Sequence, residues 1–151
     1  MKLSSVEEYG LRCMLQLAKH DGEHPVTIRV ISESEGLSTA YVGKLMFLLQ
    51  KAHLVQATRG VQGGYVLLKK PSELTLEEVF RSLDPQAFDD VCEKFTGQEQ
   101  ICVHMSECAI KQVLSGLNEQ INLYLRKFTL ADLIPQANTV AAGHAPAQGS
   151  H

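Results

Sequence analysis

The run Leu54-Val55-Gln56-Ala57-Thr58-Arg59-Gly60-Val61-Gln62-Gly63-Gly64-Tyr65-Val66-Leu67-Leu68 constrains this chain most. Two β-prone stretches flank five residues, three of them glycine. Glycine adopts positive φ without steric cost, so the segment predicts a tight hairpin. A two-stranded hairpin is marginal alone and must pack on something. Just upstream lie two short amphipathic segments. Residues 27–35 turn Ile28 and Ile31 inward, and Gly36 ends that helix. Ser38 can cap a following helix over 39–52, whose apolar face is Val42, Leu45, Met46, Leu48 and Leu49. Two short helices joined by a short glycine-containing turn form a helix-turn-helix pattern, which an ordinary helical hairpin shares. The glycine-rich hairpin that follows at once separates the two. The expected fold class is mainly α: a winged helix-turn-helix domain with a two-stranded β wing, plus a long dimerisation helix.

The rest of the chain fills in this plan. Residues 4–20 read as a first helix capped by Ser4 or Ser5, with Asp21 to Pro25 as its breaker. Thr75-Leu76-Glu77-Glu78 resembles a helix start with acids in the first turn, running to about Leu83 before Asp84-Pro85. Residues 86–105 show no period. A further helix is expected over 106–128, where Ile110, Leu114, Leu117, Ile121, Leu125 and Phe128 are spaced 4, 3, 4, 4 and 3. At ~23 residues it would be ~34 Å long, more than a small domain needs to cover itself. Dimerisation is the sharper reading of its stripe, and packing on its own domain the plainer one. The resulting division is 1–84 as the DNA-binding domain, 85–105 as a cysteine-rich loop, 106–134 as dimerisation helix and C-terminal segment, and 135–151 as a disordered tail rich in Ala, Gly, Pro and Gln.

Charge places the partner. The chain carries a net charge of −3, yet residues 26–70 hold six cationic side chains (Arg29, Lys44, Lys51, Arg59, Lys69, Lys70) against Glu33 and Glu35. That local excess of four leaves seven net negative charges elsewhere, the asymmetry expected when one face meets phosphates. In a helix-turn-helix the N-terminal end of the second helix enters the major groove of double-stranded DNA. Ser38, Thr39 and Tyr41 could donate there, with Lys44 one turn on, and small Ala40 and Gly43 permit close approach. Tyr41 has an alternative role as a core tyrosine. Arg59, Gly60, Gln62 and Gly63 suit minor-groove or phosphate contact, since an Arg and bare amides fit a narrow groove. Arg29 adds a cation beside this surface.

No apolar run approaches the ~20 residues of a membrane span, and the acidic N-terminus lacks signal-peptide features. The expectation is a cytoplasmic protein with no membrane partner. Four cysteines in a reducing compartment suggest metal or redox chemistry before disulfides. Cys13 sits on the apolar side of the first helix and reads as a small hydrophobe. Cys92, Cys102 and Cys108 form C-x9-C-x5-C in one irregular segment. Three such thiolates could hold an iron–sulfur cluster or zinc, or act as a redox switch. There is no nucleophile–base pair, phosphate loop or HExxH motif, so an enzyme such as a small metal-dependent redox protein is the weaker alternative.

Tyr9-Gly10-Leu11-Arg12, Ser38-Thr39-Ala40-Tyr41-Val42, Arg59-Gly60-Val61-Gln62-Gly63-Gly64-Tyr65, Thr75-Leu76-Glu77-Glu78-Val79 and Thr129-Leu130-Ala131-Asp132-Leu133 together resemble the bacterial IscR/NsrR/RirA family over residues 1–134. The resemblance implies a homodimeric repressor or activator. It implies a [2Fe–2S] or [4Fe–4S] cluster held by Cys92, Cys102 and Cys108, responding to redox state, nitric oxide or iron status. The first cysteine gap, nine residues, exceeds the five usual in the family. Lys111 stands where IscR-like proteins have a histidine. Glu8 matches the acidic ligand that NsrR-like proteins send to the partner subunit's cluster, and His104, inside the cysteine loop, is the alternative fourth ligand. A clusterless member acting by thiol oxidation or partner binding is the other reading within the family.

Overall fold

A computed structural model describes residues 4–20, 24–84 and 108–135. Helix α1 (Ser5–Lys19) starts at a capping box in which Ser4 and Glu7 exchange side-chain and backbone hydrogen bonds. Helices α2 (Ile28–Glu35) and α3 (Thr39–Lys51) begin at Thr27 and Ser38, whose hydroxyls accept from the amides of Val30 and Tyr41. Gly36 closes α2 at φ 66°, a left-handed conformation natural to glycine at this position. The Ser32 hydroxyl donates to the Leu37 carbonyl and ties the turn between the helices.

Strands β1 (Val55–Thr58) and β2 (Gly64–Leu67) pair antiparallel in the register Val55–Leu67 to Thr58–Gly64, forming the wing. A 3₁₀ turn at Pro71–Glu73 leads to α4 (Leu76–Leu83), capped by Thr75. The last elements are α5 (Ala109–Leu125) and a 3₁₀ turn at Leu130–Leu133. The architecture is the expected mainly helical one with a two-stranded wing.

One core binds these pieces. Cys13, Met14 and Leu17 of α1 meet Ile31 of α2, Val42, Leu45, Met46 and Leu49 of α3, Val55 of β1, Val79 and Leu83 of α4, and Leu130. Met14, Ile31, Leu45, Met46, Leu49 and Leu130 are completely removed from water, and burying each contributes about 1.5–3 kcal/mol. Leu48, expected on the α3 core face, is only half-buried.

Two backbone bridges join distant segments that no sequence pattern connects. Val26 pairs with Tyr65 through reciprocal hydrogen bonds of 3.0 and 2.8 Å, so the wing is sewn to the residue preceding the cap of α2. Thr75 pairs with Thr129, and the Leu76 amide donates to the Phe128 carbonyl at 2.9 Å. This second bridge corrects the helix expected over 106–128. The observed helix has 17 residues, or roughly 25 Å. It ends at Leu125 because the chain must turn to deliver Phe128 and Thr129 to the start of α4. Its apolar stripe divides in the single chain. Ile110 and Leu117 are exposed, in line with Val113 and Tyr124, whereas Leu114, Ile121, Leu125 and Phe128 are half-buried. Helix α5 contacts α4, and Arg126 lies 3.6 Å from Glu77. No residue of α5 is fully buried.

Candidate functional site

Four buried positions of α3 set its rotation: Val42, Leu45, Met46 and Leu49 are all at 0% exposure. The opposite side is therefore solvent-facing, and Ser38, Thr39, Ala40, Lys44, Phe47 and Lys51 are exposed. Ser38 spends its hydroxyl oxygen on the Tyr41 amide, leaving the hydroxyl proton to donate outward. Gly43 lies at the border with α2, where an added Cβ would meet Ile28 Cδ1 at 3.8 Å.

Tyr41 has two expected roles, a DNA contact and a core tyrosine, and its packing bears on the second. It is half-buried, packs on the core, and sets its ring edge-on to Tyr9 with centroids 6.0 Å apart. It packs α3 against α1 from the flank of α3, between its core face and its exposed face. Phe47 is absent from the residues expected at this surface, although its position opposite the core face is the signal that finds it.

The wing presents Arg59, Gly60, Val61 and Gln62 to solvent. Gly60 has φ 115°, and a Cβ on Gly63 would lie 2.6 Å from the Thr58 carbonyl oxygen, so both positions demand glycine for this turn. The Gly63 amide donates to the Gly60 carbonyl at 3.0 Å, closing it.

The basic residues of the segment divide into two groups. Arg29 is held by Glu33 at 2.8 Å, and Lys69 by Glu78 at 2.6 Å. Both pairs are largely exposed, so they offer little resistance to competing phosphates. Lys44, Lys51, Arg59 and Lys70 make no ion pair among the described residues. Cations without an ion pair among the described residues thus line both the outer face of α3 and the wing; the Leu54 amide, just before β1, donates to the Leu49 carbonyl of α3 at 3.0 Å, and the Val26–Tyr65 bridge ties the other strand to the segment before α2. Rigid placement of a groove-sized helix beside a thin cationic hairpin suits simultaneous contact with adjacent grooves of a duplex.

Of the expected cluster ligands, Cys92, Cys102 and His104 lie outside the described residues. Cys108 is the N-cap of α5, and its Sγ accepts from the Lys111 amide at 3.4 Å. A helix N-terminus with an N–H donor stabilises a sulfur that carries negative charge, as a ligating thiolate does. Among the described residues no group of three His, Cys, Asp or Glu is placed to hold a metal ion. Cys13 is sealed in the core, and burial, assisted by the negative charge of Glu35, pushes its thiol up to about 12. It is a packing residue.

Glu8 is exposed near the start of α1 and pairs with Arg12 at 2.9 Å. Arg12 lies 3.7 Å from Glu35, which also accepts from Gln16, and its guanidinium sits 5.9 Å from the Tyr9 ring centroid. Glu8 thus joins a chain of contacts through Arg12 and Tyr9 to Tyr41 on α3. No helix among the described residues is long and apolar enough to cross a membrane.

Comparison with known proteins gives this geometry a context. The family profile described as "Rrf2: Iron-dependent Transcriptional regulator" matches residues 3–136. The protein rrf2 of Nitratidesulfovibrio vulgaris is 31% identical over 138 residues, spanning 91% of this chain and 90% of that one. The solved structure of IscR from T. potens is 33% identical with a TM-score of 0.69, covering 88% of this chain and 85% of that chain. The structure of CymR, the global cysteine regulator of B. subtilis, is 29% identical with a TM-score of 0.70, covering 88% and 95%. A helix-turn-helix with its wing, the shared architecture and a profile match over nearly the whole described chain agree: this chain belongs to the Rrf2 family of transcriptional regulators.

Proposed function

We propose that this regulator is a homodimer that reads a double-stranded operator with α3 and the wing, and senses redox state, nitric oxide or iron status through a cysteine-ligated iron–sulfur cluster. The observation that carries the DNA half is a set of cations, Lys44, Lys51 and Arg59, that make no ion pair among the described residues and stand on two elements joined by the Leu54–Leu49 backbone hydrogen bond. Ser38, Thr39 and Lys44 face the major groove. Arg59, Gly60, Gln62 and Gly63 follow the phosphates or minor groove, and Arg29 contributes once phosphate competes with Glu33. Tyr41 acts by holding α3 in place.

The dimer reading rests on α5. Ile110, Val113, Leu117 and Tyr124 are 55–71% exposed along one side of the helix. Such a contiguous apolar line is costly in water and marks an interface. A second copy of the same helix is the occupant that makes the assembly two-fold, matching paired half-sites on DNA.

Cys92, Cys102 and Cys108 would hold the cluster, with Glu8 of the other subunit, or His104, as fourth ligand. Cys108 fits: it stands at a helix N-terminus with an amide aimed at its sulfur. Glu8 fits because it is exposed and pairs with an exposed arginine, an arrangement readily given up. Bound there, a cluster with one harder ligand supplies an iron centre open to oxygen, nitric oxide or iron loss. Arg12 would then turn from Glu8 toward Glu35 while still abutting Tyr9. The state of Glu8 is in this way felt at the base of α3.

Anaerobic purification with an absorption spectrum and iron and sulfide counts tests the reading. Cys92→Ala, Cys102→Ala and Cys108→Ala should each abolish visible absorption, and Cys13→Ala should preserve it. Glu8→Ala should leave a more labile cluster. If His104→Ala loosens the cluster and Glu8→Ala does not, the fourth ligand is histidine. Zinc, or no metal, would refute the cluster and leave the DNA reader standing. That outcome favours the second reading, a clusterless regulator acting by thiol oxidation or partner binding. The chain's fold matches the cysteine regulator CymR as well as it matches IscR, with TM-scores of 0.70 and 0.69.

A further inference from the structure

Phe47 is 62% exposed on α3. At 100° per residue, Ala40, Lys44, Phe47 and Lys51 all point within about 30° of the direction opposite the core face set by Val42, Leu45, Met46 and Leu49. A single exposed aromatic residue on a surface is ordinary and by itself means nothing. The surroundings of Phe47 are what distinguish it. Lys44 precedes it by three residues and Lys51 follows by four, both exposed and both without an ion pair among the described residues. Ala40 carries only a methyl group on this face, and Gly43 at its edge carries no side chain. Small residues there would let the helix approach a surface closely enough for Phe47 to be enclosed. An apolar ring between two cations matches a groove whose floor holds apolar groups and whose walls hold phosphates. The major groove of DNA has that pattern, since each thymine presents a methyl group there, and phenylalanine is among the side chains able to pack on it.

We propose that Phe47 is a specificity-determining residue whose ring packs on the 5-methyl group of a thymine in each operator half-site, with Lys44 and Lys51 on the flanking phosphates. The inference rests on the reading of α3 as the DNA-contacting helix and adds a base-reading contact to it. Its chemistry differs from that of Ser38, which can only exchange hydrogen bonds.

The test uses the full-length protein and an operator selected by it from random duplex DNA. Each thymine is replaced in turn by deoxyuridine, which removes the methyl group and keeps base pairing. At one thymine per half-site the wild-type protein should bind about fourfold more weakly, the loss expected from leaving one methyl group in water. Substituting both half-sites should cost roughly fifteenfold. Phe47→Ala should weaken binding to the thymine operator and become indifferent to deoxyuridine at that position alone. Phe47→Leu should keep part of the methyl dependence. If Phe47→Ala selects the same site and shows the wild-type response at every thymine, the proposal is overturned while the DNA reader survives. A change in subunit association with unaltered methyl dependence also overturns it, since Phe47 would then serve a protein contact. Failure of the wild-type protein to select any sequence would overturn the reading of α3 itself.

Discussion

Replacing Gly64 with alanine asks how the wing is attached. The added Cβ would stand 2.7 Å from both the carbonyl carbon and oxygen of Val26 and 3.0 Å from its nitrogen. These are backbone atoms and cannot rotate away. To make room, the Val26–Tyr65 bridge must open, with loss of hydrogen bonds of 3.0 and 2.8 Å. Two such bonds contribute about 2 kcal/mol together, and residual overpacking adds to the cost. Alanine returns only about 0.4–1 kcal/mol by restricting the unfolded chain. The unfavourable effects win, with a net destabilisation of about 2 kcal/mol, or roughly 4–8 °C in Tm for a chain of this size. Gly116→Ala in α5 is the control: among the described residues no atom beyond its own helix backbone and chain neighbours lies within 4 Å of its added Cβ, and helix propensity predicts a gain of up to about 1 kcal/mol. Thermal and urea unfolding measure both. A Gly64→Ala protein within about 0.5 kcal/mol of wild type would refute the claim that this bridge anchors the wing.

Leu117→Glu places a charge on the exposed apolar line of α5 and should weaken subunit association about a hundredfold or more; sedimentation showing the unmutated protein monomeric at micromolar concentration would remove the dimer reading. Cys13, with its thiol pushed up to about 12 by burial, should resist alkylation at pH 8 in the folded protein and react once urea unfolds it. Because the folded-state value is raised, the stabilising contribution of the neutral Cys13 thiol is complete below the ordinary thiol range and is lost as pH climbs toward 12; Cys13→Ala should remove that part of the alkaline dependence. Lys44→Ala and Lys51→Ala should each lower DNA affinity across all sequences and flatten its salt dependence by about one released counterion for each phosphate no longer neutralised.

How much of this is legible in the sequence depends on how far along the chain each cause lies. Ser4, Thr27, Ser38 and Thr75 cap their helices with amides three residues away, and Gly36 ends α2 through its own φ. These are local events, written in consecutive residues. The wing is legible because Gly60 and Gly63 are required by their own turn. The Val26–Tyr65 and Thr75–Thr129 bridges join segments far apart along the chain and leave no periodic trace. For that reason the apolar stripe misplaces the end of α5: it runs on to Phe128, but the pull of the Leu76 amide on the Phe128 carbonyl overrides it. The proposed DNA-facing residues Thr39 and Lys44 follow from their position in the motif. Tyr41 goes to the core side because Tyr9, on another helix, supplies its packing. Cys92, Cys102 and His104 lie outside the described residues, so the ligand set stands on the sequence, on Cys108 and on Glu8.

A footprint on operator DNA selected by the wild-type protein tests the central claim most directly. The expected result is a two-fold symmetric protected site, with half-sites separated by a whole number of helical turns, and loss of protection in Arg59→Ala although that variant remains folded and dimeric. A protein that protects no preferred sequence, or an Arg59→Ala variant with an undiminished footprint, would contradict it.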